Sequence, residues 1–307
     1  MSEHSISNKK KKIKANSKNK PLHPTIEQQA GYRLFDEADS LRASTITDFK
    51  QAQCARQPSK GEVPVLKAGK ATSGCDYQDL NKVAEESGVL NVPSLWQTGS
   101  ESTARIVSHA RKGKEEGIVQ GTGVAIGKVG DQCVIATARH VVESTARRQI
   151  LNSAVEMNDG KLYKYDVKFK DSVSDRAVIA VKTGADTDAL CHPVKAGQSV
   201  MDSGHGAIVS YPGNTNSKHL SMARVEGSKD ATPYVEGIEG TGKEITAVAH
   251  TKKGSSGAPM FDTSGKLRAL VTRGPIDGRP DDEVTVLAPV TAQDQRRWMD
   301  EVRKANK

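Results

Sequence analysis

Between Gly117 and Val290 the chain breaks into ten short runs rich in β-branched residues: GIVQGTGVAIGK, QCVIATA, KYDVKFK, RAVIAVK, GAIVSYPG, LSMARVEG, KEITAVAH, APMFD, KLRALVTRG and EVTVLAPV. Each is bounded by Gly, Pro, Asp or Asn, the punctuation of a mainly β domain built as a barrel or sandwich. Upstream the period changes. Ile26, Ala30, Leu34, Ala38 and Leu41 recur at three- and four-residue steps, which predicts an amphipathic helix or two short ones over 26–49. Further helices are expected near 79–86 and over 102–116, separated by Pro- and Gly-containing loops around 58–74 and 88–93. At the other end Thr291 is a candidate N-cap for a last helix in which Trp298, Met299 and Val302 form one apolar side. This divides the chain into a tail at 1–24, a helical N-terminal region of unknown role at 25–114, and a β domain at 115–307.

Composition changes this picture mainly at the N-terminus. Hydrophobic residues are 36% of the 307 and mean hydropathy is −0.56, so part of the chain is not expected to pack. No run approaches the roughly 18 apolar residues of a membrane-spanning helix. The net charge is +8, but the first 24 residues hold seven lysines against Glu3 and contribute +6 (7 − 1), leaving +2 (8 − 6) for the rest. The pI of 9.2 is therefore a property of the tail and does not make the folded body a nucleic-acid binder. The tail, Lys9 to Lys20, is a candidate contact for a polyanion or a targeting receptor. It has no apolar core of the kind a Sec leader carries, so the expected location is cytoplasmic or reached by a non-Sec route. On that ground Cys54, Cys75, Cys133 and Cys191 are read as thiols, with a Cys54–Cys75 bridge as the alternative.

Three segments carry candidate chemistry. In ATARHVV a strand runs into His140; in SDRAVIAVK an acid, Asp175, directly precedes an apolar strand; in HTKKGSSGAPMFD a tight glycine turn holds Ser256. A serine is a useful nucleophile when an imidazole takes its proton and a carboxylate fixes the imidazole tautomer. Asp171, four residues earlier, is the alternative acid. Gly254 and Gly257 permit a turn that aims the backbone N–H groups of Gly254 and Ser256 at one point, an oxyanion hole.

The order His, Asp, Ser, the spacings of 35 and 81 residues, and the strand contexts together resemble the chymotrypsin-like (trypsin-like) serine peptidase superfamily. IVSYPGN is similar to a segment of glutamyl endopeptidase-like and HtrA-type members. The resemblance covers about 115–305 and implies two six-stranded antiparallel β-barrels with a C-terminal helix. It further implies a serine endopeptidase that works through His140, Asp175 and Ser256 on protein or peptide substrates, with no metal and no cofactor. It assigns the substrate pocket to His250, Thr251, Thr272 and Gly274, with Arg273 turned toward more distant subsites. Val271 stands where glutamyl endopeptidases carry a carboxylate-binding histidine, and the pocket base has no acid, so a small, polar or uncharged residue is expected before the scissile bond. The alternatives are a catalytically inactive scaffold on the same fold and a tail-driven nucleic-acid factor. Arg105-Ile106-Val107 resembles a zymogen activation site, but Ser255 occupies the place of the acid that would receive the new terminus, so the cleft is expected to form without cleavage and Arg105→Gln to hydrolyse peptides as well as wild type.

Overall fold

Two sheets account for the β-rich patterning. A computed structural model describes residues 58–66, 76–144, 148–213, 215, 217–231, 242–274 and 284–306. The lysine tail, the helix expected over 26–49, Cys54 and Cys75 lie outside these residues.

The described chain starts with β1 (Glu62–Val65) and β2 (Asp76–Asp79), followed by α1 (Leu80–Ser87) and α2 (Val92–Ser102). Helix α1 is the one expected near 79–86. Asp79 caps it by accepting from the Asn81 and Lys82 N–H groups, and Gly88 closes it at φ 68°. The first β lobe comprises β3 (Thr103–Lys112), β4 (Glu115–Val129), β5 (Gln132–Ala138), β6 (Gln149–Glu156), β7 (Leu162–Tyr163), β8 (Tyr165–Asp171) and β9 (Arg176–Lys182). They form one curled sheet in the order β7-β6-β3-β4-β5-β9-β8. Two short helices, α3 (Arg139–Val142) and α4 (Thr187–Leu190), sit beside β5 and after β9.

The second lobe contains β10 (Gly204–Ser210), β11 (His219–Asp230), β12 (Lys243–Ala249), β13 (Pro259–Asp262), β14 (Leu267–Arg273) and β15 (Val284–Pro289). Antiparallel pairing of β10 with both β13 and β11 closes these six into a barrel. β1 adds to its outside in parallel with β11, and β2 follows β1. The expected pair of six-stranded barrels is thus one closed six-stranded barrel and one open, seven-stranded half-barrel. The final helix, α5 (Ala292–Ala305), begins at a capping box between Thr291 and Asp294 and buries Trp298, Met299 and Val302. Gln295 locks it to the first lobe, donating to the Ile126 and Val194 carbonyls at 2.6 and 2.8 Å and accepting from Ala196 N–H at 2.8 Å.

The structure departs from two expectations and agrees with another, that Arg105 is not an activation site. Residues 103–112 are a strand and not part of a helix over 102–116. β3 pairs with β4 over ten residue positions and with β6 on its other side, so the boundary drawn at 114/115 falls inside a hairpin of the first lobe. The region before it is also not purely helical, because β1 and β2 extend the second barrel. Its apolar residues Val63, Val65, Val83, Val92 and Leu95 belong to the same core as Val209, Phe261 and Trp298. Secondly, Arg105 and Ile106 are buried in the centre of this sheet, and Arg105 donates to Glu156 from Nε at 2.9 Å and Nη2 at 2.5 Å. No protease reaches that bond in the folded protein, and Arg105 is a structural cation.

Thirdly, Cys133 and Cys191 are not thiols. They are joined by a disulfide across 58 residues, tying β5 to the segment that follows α4. Among the described residues no helix is long and apolar enough to cross a membrane.

Candidate active site

Strand register brings the first two candidate residues together. β5 and β9 pair antiparallel with Ala138 opposite Arg176, so the residues just past the end of β5 meet those just before β9. The Arg139 N–H donates to the Asp175 carbonyl at 2.9 Å, and the His140 N–H donates to Asp175 Oδ1 at 3.0 Å. The other carboxylate oxygen lies 2.6 Å from His140 Nδ1. Asp175 is buried and has φ 50°, the positive-φ exception to glycine among the described residues. An aspartate tolerates that conformation better than most side chains, and here it turns the carboxylate back onto the histidine.

Asp171 is engaged elsewhere. Its Oδ2 accepts from Arg176 Nη2 at 2.7 Å, and its Oδ1 accepts the Val173 and Ser174 N–H groups at 3.0 and 3.2 Å. Burial pushes its carboxyl up, but the Arg176 guanidinium and those N–H groups outweigh it and hold the pKa below the ordinary value. Arg176 in turn stacks over Trp298 at 5.4 Å and donates to the Pro289 carbonyl at 2.9 Å. Asp171 therefore fastens the first lobe to α5, and Asp175 is the acid that faces His140.

Ser256 lies in the turn between β12 and β13, on the opposite lobe. The turn is wound by backbone hydrogen bonds from Ser255 N to Lys252 O and from Ala258 N to Ser255 O, both 2.9 Å. Gly254 and Gly257 take φ 92° and 82°. A Cβ on Gly254 would stand 2.4 Å from the Tyr211 carbonyl, and one on Gly257 would stand 2.1 Å from the Thr122 carbonyl. Both positions need glycine for conformation and for space. Ser255, buried beneath, donates to Ser210 Oγ at 3.0 Å, which accounts for a hydroxyl where an acid would leave an uncompensated charge.

The turn is held from across the cleft by Thr122, a residue to which sequence reasoning assigned no role. Its N–H donates to the Ser256 carbonyl at 2.8 Å, and its hydroxyl donates to the Gly254 carbonyl at 2.8 Å while accepting Tyr211 N–H at 3.1 Å. Gln120, two residues earlier, donates to the carbonyls of Tyr211 at 3.0 Å and Thr215 at 3.3 Å and to that of Gly213. The glycine-flanked threonine of G-T-G was the available signal for Thr122. For Gln120 there was none.

His140, Gly254 and Ser256 line one cleft of about 360 Å³. The expected substrate-pocket residues do not all gather at its edge. Thr251 and Gly274 are neighbours, since a Cβ on Gly274 would stand 2.8 Å from Thr251 Oγ1, which is itself 2.9 Å from Thr285 Oγ1. His250 is half-buried beside them and donates its N–H to Ser221 Oγ at 3.1 Å. Thr272 belongs elsewhere: its hydroxyl donates to the Val286 carbonyl at 3.1 Å, and it borders a small void shared with Asp175. The β14–β15 register shifts at this point, between Val271 and Arg273, and Thr272 and Arg273 border the same void. Arg273 pairs with Glu244.

Residues 121–270 match the trypsin-like peptidase domain. Among solved structures, the chain is similar to the Rv3671c protease of M. tuberculosis. For the active form the identity is 22% and the TM-score 0.55, covering 80% of this chain and 94% of that one. For an inactive form the values are 23% and 0.51, covering 70% and 94%. For a serine-to-alanine mutant, also inactive, they are 20% and 0.51, covering 80% and 98%. No curated protein sequence matches. Residues 121–270 are therefore a trypsin-like peptidase domain, and the chain has the chymotrypsin-like fold.

Proposed function

We propose that the protein is a serine endopeptidase in which Ser256 is the nucleophile, His140 the general base and acid, and Asp175 the orienting carboxylate. The observation that carries this reading is the 2.6 Å contact between His140 Nδ1 and Asp175 Oδ2, in a cleft that His140 shares with Ser256 and Gly254. A carboxylate on Nδ1 holds the ring proton there and leaves Nε2 to take the Ser256 proton.

Ser256 Oγ then attacks the scissile carbonyl, and the resulting oxyanion is received by the backbone N–H groups of Gly254 and Ser256. His140 passes the proton to the departing amine, leaving an acyl group on Ser256. Water, activated by the same imidazole, releases the acid product. Every step uses side chains and backbone of this chain. The test is hydrolysis of a peptide library by wild type, Ser256→Ala and His140→Ala. Cleavage by wild type alone supports the reading, and equal cleavage by Ser256→Ala overturns it.

A further inference from the structure

We infer that Gln120 is a positioning residue for the oxyanion hole: its side-chain amide holds the loop after β10 in the shape that keeps the Gly254 N–H turned toward the substrate. The inference rests on the triad reading above, which makes the Gly254 and Ser256 N–H groups the oxyanion donors.

Three carbonyl oxygens of that loop converge on one nitrogen. Gln120, on β4, donates from Nε2 to the carbonyls of Tyr211 at 3.0 Å and Thr215 at 3.3 Å and to that of Gly213. Carbonyl dipoles aimed at a single point repel one another, so the loop keeps this shape only while a donor stands at the centre. A primary amide, with two N–H bonds on one nitrogen, meets that need. The loop is also closed on itself, because the Thr215 hydroxyl donates to the Pro212 carbonyl at 2.8 Å.

The loop so held acts on the nucleophile turn in two ways. First, the Gly213 N–H donates to the Lys253 carbonyl. The Lys253–Gly254 peptide is trans, so its carbonyl and its N–H point in opposite directions, and with the carbonyl fixed on Gly213 the Gly254 N–H faces away from the loop. Secondly, two of the three gathered carbonyls pack on the Gly254 Cα. A Cβ there would stand 2.4 Å from the Tyr211 oxygen, 3.0 Å from the Gly213 oxygen and 3.1 Å from Gln120 Nε2 itself. Among the described residues, neither the Gly254 nor the Ser256 N–H donates to another group of the chain, which leaves both for an oxyanion. Thr122 ties the turn through the Gly254 and Ser256 carbonyls, and Gln120 governs the peptide just before them. Without Gln120 the loop relaxes, the Lys253 carbonyl loses its donor, and that peptide is free to turn its carbonyl toward the place the oxyanion must occupy.

The test uses two substitutions, with near-UV circular dichroism as the folding control. Gln120→Met removes the donor at nearly constant volume, and Gln120→Glu replaces it with a carboxylate that only accepts. On a peptide that wild type cleaves, each is expected to lose roughly 10²-fold in kcat, the scale of a lost oxyanion donor, with KM within about threefold. A peptide aldehyde, whose hemiacetal with Ser256 places an oxygen in the hole, should bind more weakly by a similar factor. The matched peptide alcohol forms no such adduct and should bind as it does to wild type. A kcat within about threefold of wild type in both variants, or a loss of affinity shared equally by aldehyde and alcohol, overturns the inference while leaving Ser256-dependent hydrolysis intact. If wild type cleaves nothing, the triad reading is what fails. Hydrogen exchange at the Gly213 amide, followed by NMR, then still reads the relay: faster exchange in the variants than in wild type supports it, and equal exchange rejects it.

Discussion

The Asp175 carboxylate grips His140 twice, through Oδ2 at 2.6 Å from the ring Nδ1 and through Oδ1 at 3.0 Å from the backbone N–H. One contact sets the tautomer and the other sets where the ring hangs. The two effects are separable, because an asparagine keeps a carbonyl oxygen for one of them and cannot hold the ring proton as a carboxylate does. Asp175→Asn is therefore expected to fold normally and to lose roughly 10⁴-fold in kcat. Steady-state kinetics on a cleaved peptide, with near-UV circular dichroism as the folding control, checks this.

Asp171 gives the contrasting outcome. Asp171→Asn should leave kcat within a few-fold of wild type and lower stability by about 1–3 kcal/mol, the scale of a charged hydrogen bond. The loss should depend on pH. Because its folded-state pKa lies below the ordinary 3.8, the carboxylate's contribution is complete above that value and vanishes as the pH falls through the lower, folded one. Urea unfolding at near-neutral and at strongly acidic pH should show the gap between wild type and variant closing on the acid side. An equal gap at both would contradict the Arg176 assignment.

Arg105 should matter to the fold and not to activation. Arg105→Gln leaves Glu156 buried without its partner, and removing one member of a buried ion pair costs about 3–5 kcal/mol. Burial already pushes the Glu156 carboxyl up, with Arg105 opposing, so the variant is expected to take up a proton there. Denaturant unfolding measures the loss, and a neutral variant would show that the pair is dispensable. Limited trypsin digestion of the native protein should yield no cut after Arg105.

What the sequence disclosed follows from where side-chain alternation and turn residues coincide. QCVIATA and RAVIAVK are β-branched, end at charged or turn residues, and match β5 and β9 residue for residue. β3 was misread because Ala104, Val107 and Ala110 fall at helical steps. Residues Thr103 to Ala110 are all buried, so no polar side alternates to reveal the strand. β1, β2 and β7 are two to four residues long and carry too few positions for a period. Of the candidate site, His140, Asp175 and Ser256 can be picked out of the sequence because each sits in a local motif. Thr122 and Gln120 were not assigned, because their roles arise from contacts across the cleft or between distant segments. The same holds for Cys133 and Cys191, which meet only when β5 and the chain after α4 are packed together.

The disulfide should contribute about 4 kcal/mol, the loop-entropy value for closing a loop of that length. A Cys133→Ala/Cys191→Ala variant is expected to unfold at correspondingly lower denaturant than wild type kept without reductant. Coincident unfolding curves would mean the bridge does not form or does not constrain the unfolded chain.

Specificity on the acyl side should follow from the tight pairing of Thr251 with Thr285 and the closeness of Gly274, uncharged groups that give a basic side chain no counter-charge of their own. A cleavage-site profile is expected to favour small, uncharged residues before the scissile bond. A profile dominated by Arg and Lys would contradict this pocket.

The central claim is that Ser256 is made nucleophilic by His140 and Asp175. A fluorophosphonate probe tests it most directly, since it reacts with a serine that has been activated and spares ordinary hydroxyls. Intact-protein and peptide mass spectrometry should find one adduct on the wild-type chain, located on Ser256, with none on Ser256→Ala and labelling slowed by several orders of magnitude in His140→Ala. An unlabelled wild-type protein under conditions where it is folded, or an adduct that persists at another residue in Ser256→Ala, would contradict the account.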